Sequence, residues 1–319
     1  MAVQLDSQVK AMISLLDDDD ESIFNVVSQK LLPLAGTDKP EAAEILKLIL
    51  EKKNESKERV QIRIDNFIDK LQFEKLKSKF NAALMENASI EDFSFLIAQI
   101  GFPELEVKKY REELNRLESV LRLDFAGNRD MTDIDKIIMI SVVLFEREGY
   151  RGNSGAYYEP DNSYLNRVMD RKLGIPISLG AVFLALTDRL GIPVFGVNMP
   201  SHFMLKYEQK KFGPEIYEIF IDPFNQGRIL EKQDCIRFLT NSGYGFVEQY
   251  LAKAQTIDIV ERMLNNLRNS YTELSLSSKV ILIERYLDLI REFRGDEMSQ
   301  DDGALGLSES DSDLDEPEE

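Results

Sequence analysis

Apolar residues at three- and four-residue steps dominate the first third of the chain. Leu5, Val9, Met12, Ile13 and Leu16 fall on one face and predict a helix. The acidic turn Asp17 to Asp20 follows. Ser22 then suits the cap of a second helix carrying Ile23, Val26, Val27 and Leu31, which Pro33 is expected to end. From Pro40 to about Leu84 the stripe continues through Leu46, Ile49, Ile64, Phe67, Ile68, Leu71 and Phe80, with Lys and Glu on the opposite side. "ASIEDFSFLIAQIGFPEL" predicts a short helix closed by Gly101 and Pro103, and Val107 to Leu121 another. "FAGNRDMTD" reads as a loop. Thr132 with Asp135 has the form of a capping box for a helix bearing Ile134, Ile137, Ile138, Val142 and Phe145.

Beyond that helix the texture changes. "GIPVFGVNM", "HFMLKY" and "EIYEIFID" are short, β-branched or aromatic, and bounded by turn residues, as strands are. Strands following helices predict a small antiparallel sheet packed on helices, hence an α+β fold. Residues 255 to 294 return to helix, with Val260, Met263, Leu264 and Leu267 on one face.

Charge sharpens the picture at the far end. The formal net charge is −18, and eleven Asp or Glu with no Lys or Arg lie from Asp296 to Glu319. That stretch is too charged and too poor in apolar groups to fold, and is expected to be a disordered, solubilising tail; Ser308, Ser310 and Ser312 lie among its acids. An acidic surface repels phosphate backbones, so nucleic acid is not an expected partner. The N-terminus lacks the pattern of a secretory signal, and no apolar run approaches the roughly 18 residues of a membrane span. The expected location is cytoplasmic, without membrane contact. One cysteine, Cys235, and one histidine, His202, cannot build a disulfide or a zinc site, and no EF-hand spacing occurs. Neither a metal nor a cofactor is expected.

Candidate chemistry collects around "RKLGIPISLGAVFLALTDRLGIPV". Pro176 suits a first helical turn and Gly191 a left-handed C-terminal cap. Between them Leu179, Val182, Phe183, Leu186 and Leu190 share a core face. Ser178 falls in the first turn, where free N–H groups and the helix dipole favour negative charge, and where serine is also common for capping alone. His202 stands at the start of a strand, and Asp222 ends the next. The two can meet across the pair, the carboxylate holding the imidazole in one tautomer. Cys235 reads as a thiol without a role. Asn153, Asn162, Asn166 and Arg171 read as loop and cleft scaffolding.

Helix, "GIP" turn, strand, strand with His, and strand ending in Asp-Pro resemble the transglutaminase-like superfamily. "GYRGN", "NSYLNRVMDRKLGIPISL", "RLGIPVFGVNMPSHFMLKY" and "IDPFNQGRIL", in that order, resemble its SirB-type branch. The resemblance implies a papain-like domain with a Cys-His-Asp triad, and carries over His202 and Asp222. Counting back without gaps from Gly191-Ile192-Pro193, the nucleophile's place falls on Pro176. Ser178 lies two residues on, about 200° around the helix. "LLDDDDES" between two helices resembles a single HEAT-type repeat, and "ERMLNNLRNSY" a TPR-like end. The expected organisation is a helical region over 1–124, HEAT-like at its start; the transglutaminase-like domain over 125–250; C-terminal helices over 251–295; and the tail over 296–319.

Two functions follow. In one the protein is a pseudoenzyme whose cleft binds a peptide or protein partner, with the helical region as an added interaction surface. In the other it is an amidase, protease or acyl-transferase using Ser178, His202 and Asp222. A purely helical scaffold, the third class, predicts no pocket around His202.

Overall fold

The stripes of the first hundred residues close on one another as stacked helices. The computed structural model describes residues 5–37, 39–128, 130–210 and 216–305, with side chains to 295. Helices α1 (Ser7–Ser14), α2 (Glu21–Ala35) and α3 (Pro40–Glu55) lead into the long α4 (Glu58–Met85). Asp20, not Ser22, caps α2: its carboxylate accepts the Ser22 N–H at 2.8 Å. Pro33 does not end α2 but stays inside its last turn, and the helix stops at Gly36, whose N–H donates to the Leu32 carbonyl.

Next come α5 (Ile90–Gly101), α6 (Val107–Ala126) and α7 (Asp133–Ser141), the last opened by the Thr132–Asp135 capping box and continued by a π-helical turn over Val142–Arg147. Strand β1 (Arg151–Gly152) pairs in parallel with β2 (Leu173–Gly174), and α8 (Leu165–Arg171) lies between them. Helix α9 (Pro176–Leu190) follows, buried on every side from Pro176 to Thr187.

The main sheet is antiparallel, in the order β3 (Val194–Val197), β4 (Met204–Lys210), β5 (Ile216–Asp222), β6 (Arg228–Leu230). It holds one strand more than the three expected. Its side chains alternate between two cores, as a period of two requires. Leu205, Tyr207, Ile219 and Ile221 join the main core around α9. Val197, Met204 and Phe220 face the other way, against Cys235 and Leu239 of α10 (Lys232–Asn241) and Leu251. The C-terminal helical stretch is a pair, α11 (Thr256–Glu273) and α12 (Ser277–Leu305), with Ser275 at φ +58° in the turn between them. Backbone helix thus continues to Leu305, ten residues into the stretch expected to be unfolded; Ser308, Ser310 and Ser312 lie outside the described residues. These elements make an α+β fold, helical at both ends, and no described helix is long and apolar enough to cross a membrane.

Candidate functional site

Pro176 opens α9 at its first position, where a missing N–H does no harm and the fixed φ is already helical. It has no group that can attack a carbonyl. Ser178, two residues on, is turned inward and is 1% exposed. Its hydroxyl donates to the Asn162 carbonyl at 2.5 Å, with the Ile175 carbonyl at 3.1 Å, and accepts the Ile175 N–H at 3.0 Å. A Cβ on Gly174 would lie 2.7 Å from that oxygen, so the glycine makes room for it. The hydroxyl pins the Pro160–Asn162 turn to the start of α9. It makes no hydrogen bond to His202, so the structure does not assemble Ser178 with the other two candidates.

His202 and Asp222 do come together. His202 lies in the turn before β4 rather than in the strand itself. In the β4–β5 pairing Leu205 faces Ile221, and continuing that register sets position 202 opposite 224. His202 therefore reaches Asp222 diagonally, a neighbour within range of a long side chain. Nε2 and Asp222 Oδ1 are 3.0 Å apart, and both residues are buried. The carboxylate can only accept, so Nε2 carries a proton, and in the neutral imidazole Nδ1 is the acceptor. Asp222 also accepts the N–H groups of Phe224 at 3.1 Å and Asn225 at 3.2 Å, and the Asn225 amide at 2.7 Å. Burial pushes its carboxyl up, but the His202 and Asn225 hydrogen bonds outweigh burial and hold it below the usual carboxylate range.

Aromatic rings surround the imidazole. Phe224 lies edge-on with centroids 6.4 Å apart, and Phe238 of α10 is tilted at 5.4 Å. Phe224 continues to Tyr157 at 6.4 Å, and Tyr157 to Tyr158 at 5.4 Å. A Cβ on Gly152 would sit 2.5 Å from the Phe224 ring, so β1 must carry glycine there for Phe224 to lie flat on it. Phe238, Tyr157, Tyr158, Tyr244, Phe246 and Val247 are exposed. Tyr244 is tied to Ser201 by a 2.8 Å hydrogen bond. Phe224, Tyr157 and Tyr158 thus make a run of rings that leads from the buried imidazole to the surface, with Phe238 on its other side.

Polar side chains hold the loop that carries Tyr157 in place. Asn153 Nδ2 donates to Asn162 Oδ1 at 3.0 Å, and Asn162 Nδ2 to the Ala156 carbonyl at 2.6 Å. Arg171 donates to Glu159 at 2.6 Å and Arg167 to Asp161 at 2.9 Å, tying the loop with Tyr157 to α8. Asn166 is 3% exposed, and its Oδ1 has no partner among the described residues. Sequence reasoning missed Phe224, Asn225, Phe238 and Tyr157. The signal for the first two was present in "IDPFNQG", where Asp, Asn and Gly announce a turn that folds back on its own carboxylate. The others lie far along the chain and leave no local trace.

Cys235 is not a substitute nucleophile. It is 1% exposed, and burial pushes its thiol up to about 12, far from the thiolate that reacts. Among the described residues no three His, Cys, Asp or Glu side chains gather in a way that could hold a metal ion.

Comparisons with known proteins point to a family. Residues 108–265 match the model of the transglutaminase-like superfamily. A UPF0162 protein of Xylella fastidiosa is 31% identical over 196 residues, covering 58% of this chain and 66% of its own length, just under two thirds. F-box only protein 21 of Homo sapiens is 31% identical over 157 residues, 47% of this chain and 24% of the relative. Protein SirB1 of Salmonella typhimurium is 23% identical over 190 residues, 59% of this chain and 68% of the relative. No solved structure gives a significant match. Residues 108–265 therefore belong to the transglutaminase-like superfamily, in line with the branch that includes SirB1 and the UPF0162 proteins.

Proposed function

We propose that this domain is a non-catalytic, peptide-binding member of its superfamily. The observation that carries the reading is the Ser178 hydroxyl. It is donated to the Asn162 carbonyl at 2.5 Å, while Pro176 stands where the superfamily resemblance places the nucleophile. Acyl transfer needs a hydroxyl or thiol within hydrogen-bond reach of the base. Among the described residues no Ser, Thr or Cys side chain makes that contact with His202, whose hydrogen bond is to Asp222. What surrounds His202 instead is a set of rings, several of them exposed, taken here as the wall of a peptide cleft. In this reading the His202–Asp222 pair fixes the turn and presents Nδ1 to an N–H of the bound peptide. The helical N-terminal region supplies a further protein-binding surface.

The test uses the single histidine, whose imidazole gives one set of NMR signals. Addition of a randomised hexapeptide pool is expected to shift the His202 signals and to return every peptide with its mass unchanged; Phe238→Ala weakens the shift. Peptide cleavage or acylation by the protein, abolished in His202→Ala, would overturn the reading.

A further inference from the structure

Behind the turn that carries His202 lies a cavity of about 800 Å³, whose walls include Asn198, Lys253, Asp258, Glu261 and Arg262. Most of its charges are already matched. Arg294 reaches Asp258 at 2.5 Å and Glu261 at 2.8 Å, and Lys253 meets Glu208 at 2.7 Å. Arg262 is the exception. A guanidinium offers five N–H donors, and here one is used, Nη1 donating to the Met199 carbonyl at 2.9 Å. It forms no ion pair among the described residues. Burial pulls its pKa down, a penalty that a bound anion relieves. In the same wall Asn198 Oδ1 is buried without a hydrogen-bond partner.

The two deficits are of opposite kind. Arg262 lacks an anion, and Asn198 lacks a donor. An acceptor-only anion such as sulfate would serve the first but bring no donor to the second. A peptide supplies both groups within a few bonds, a carboxylate for the guanidinium fork and an amide N–H for Asn198. We propose that this cavity is a subsite for a peptide carboxylate, held by Arg262, with Asn198 Oδ1 accepting an N–H of the same peptide. The inference rests on the reading of the domain as a peptide-binding module but on a different wall. Arg262 grips the carbonyl of Met199, three residues before His202, so a peptide seated here adjoins the aromatic cleft.

The test presents the full chain with two randomised hexapeptide pools and reads retained peptides by mass spectrometry. One pool has free C-termini and includes Asp and Glu; the other is amidated and lacks them. Wild-type protein is expected to favour the carboxylate-bearing pool by about tenfold or more, the scale of one charge-assisted hydrogen-bond pair. Whether the retained peptides share acidic side chains or only a free terminus identifies the source of the carboxylate. The preference disappears in Arg262→Gln and weakens in Asn198→Ala, each checked for an unchanged melting curve. Equal retention of both pools by wild-type protein, a comparison that needs no variant, overturns the subsite and leaves the aromatic cleft standing. So does an undiminished preference in a folded Arg262→Gln. Failure to retain either pool overturns the subsite and the peptide-binding reading together.

Discussion

Asp222 gathers the imidazole, two backbone N–H groups and the Asn225 amide on one buried carboxylate. Asp222→Ala leaves those donors unpaired and is expected to cost about 2–4 kcal/mol in urea unfolding. Because the folded carboxyl titrates below its unfolded value, the stabilisation is fully present above the unfolded pKa of about 4. It shrinks as pH falls through the folded pKa. The gap between wild type and variant should therefore close on acidification; a gap that widens would contradict this. Ser178→Ala leaves the Asn162 carbonyl and the Ile175 N–H only their own long 3.4 Å hydrogen bond to each other and should cost about 1–2 kcal/mol, with peptide binding beside His202 retained. The meeting of His202 with Asp222 is legible in the sequence, because two adjacent strands of opposite direction leave few registers. The work of Ser178 is not. Its main partner is a backbone carbonyl sixteen residues earlier, and only the fold brings that turn against α9.

At the scale of elements, the packing of rings beside His202 depends on a close approach that glycine permits. Gly152→Ala places a methyl 2.5 Å from the Phe224 ring and should cost about 1–3 kcal/mol. It should also move Phe224 away from His202, seen as a changed His202 NMR shift. Helix α10 closes the outer face of the sheet over Cys235, which sets its chemistry. The native thiol should be alkylated by iodoacetamide at pH 8 orders of magnitude more slowly than in urea, where its pKa returns to about 8.5. The alternation in "HFMLKY" and "EIYEIFID" shows strands, but not which face meets α9 and which meets α10. Both faces are covered, so polarity does not distinguish them; Lys206 is buried on the α10 side, between Glu208 at 2.9 Å and Glu218 at 2.7 Å. Strand β6 has three residues, too few for a period to register.

Across the whole molecule two cores share one long helix. The first half of α4, from Val60 to Leu71, belongs to a small core with α1, α2 and α3. Its second half, from Phe73 to Leu84, belongs to the main core. The smaller cluster should open separately, so amides of α2 and α3 are expected to exchange through a lower-energy opening than those of α9. A single exchange free energy for both would contradict that division. Such a split is only partly visible in the sequence, because the amphipathic stripe of α4 runs on without a break while its partners change. The proposal of a non-catalytic site concerns the other end of the molecule, where His202 pairs with Asp222 and Pro176 opens α9. It is tested most directly by intact-mass analysis of the native protein after exposure to a fluorophosphonate and, separately, a thiol-directed acylating probe. An unchanged mass is expected with both. An adduct at a single Ser, Thr or Cys, lost in His202→Ala while the fold is kept, would contradict it.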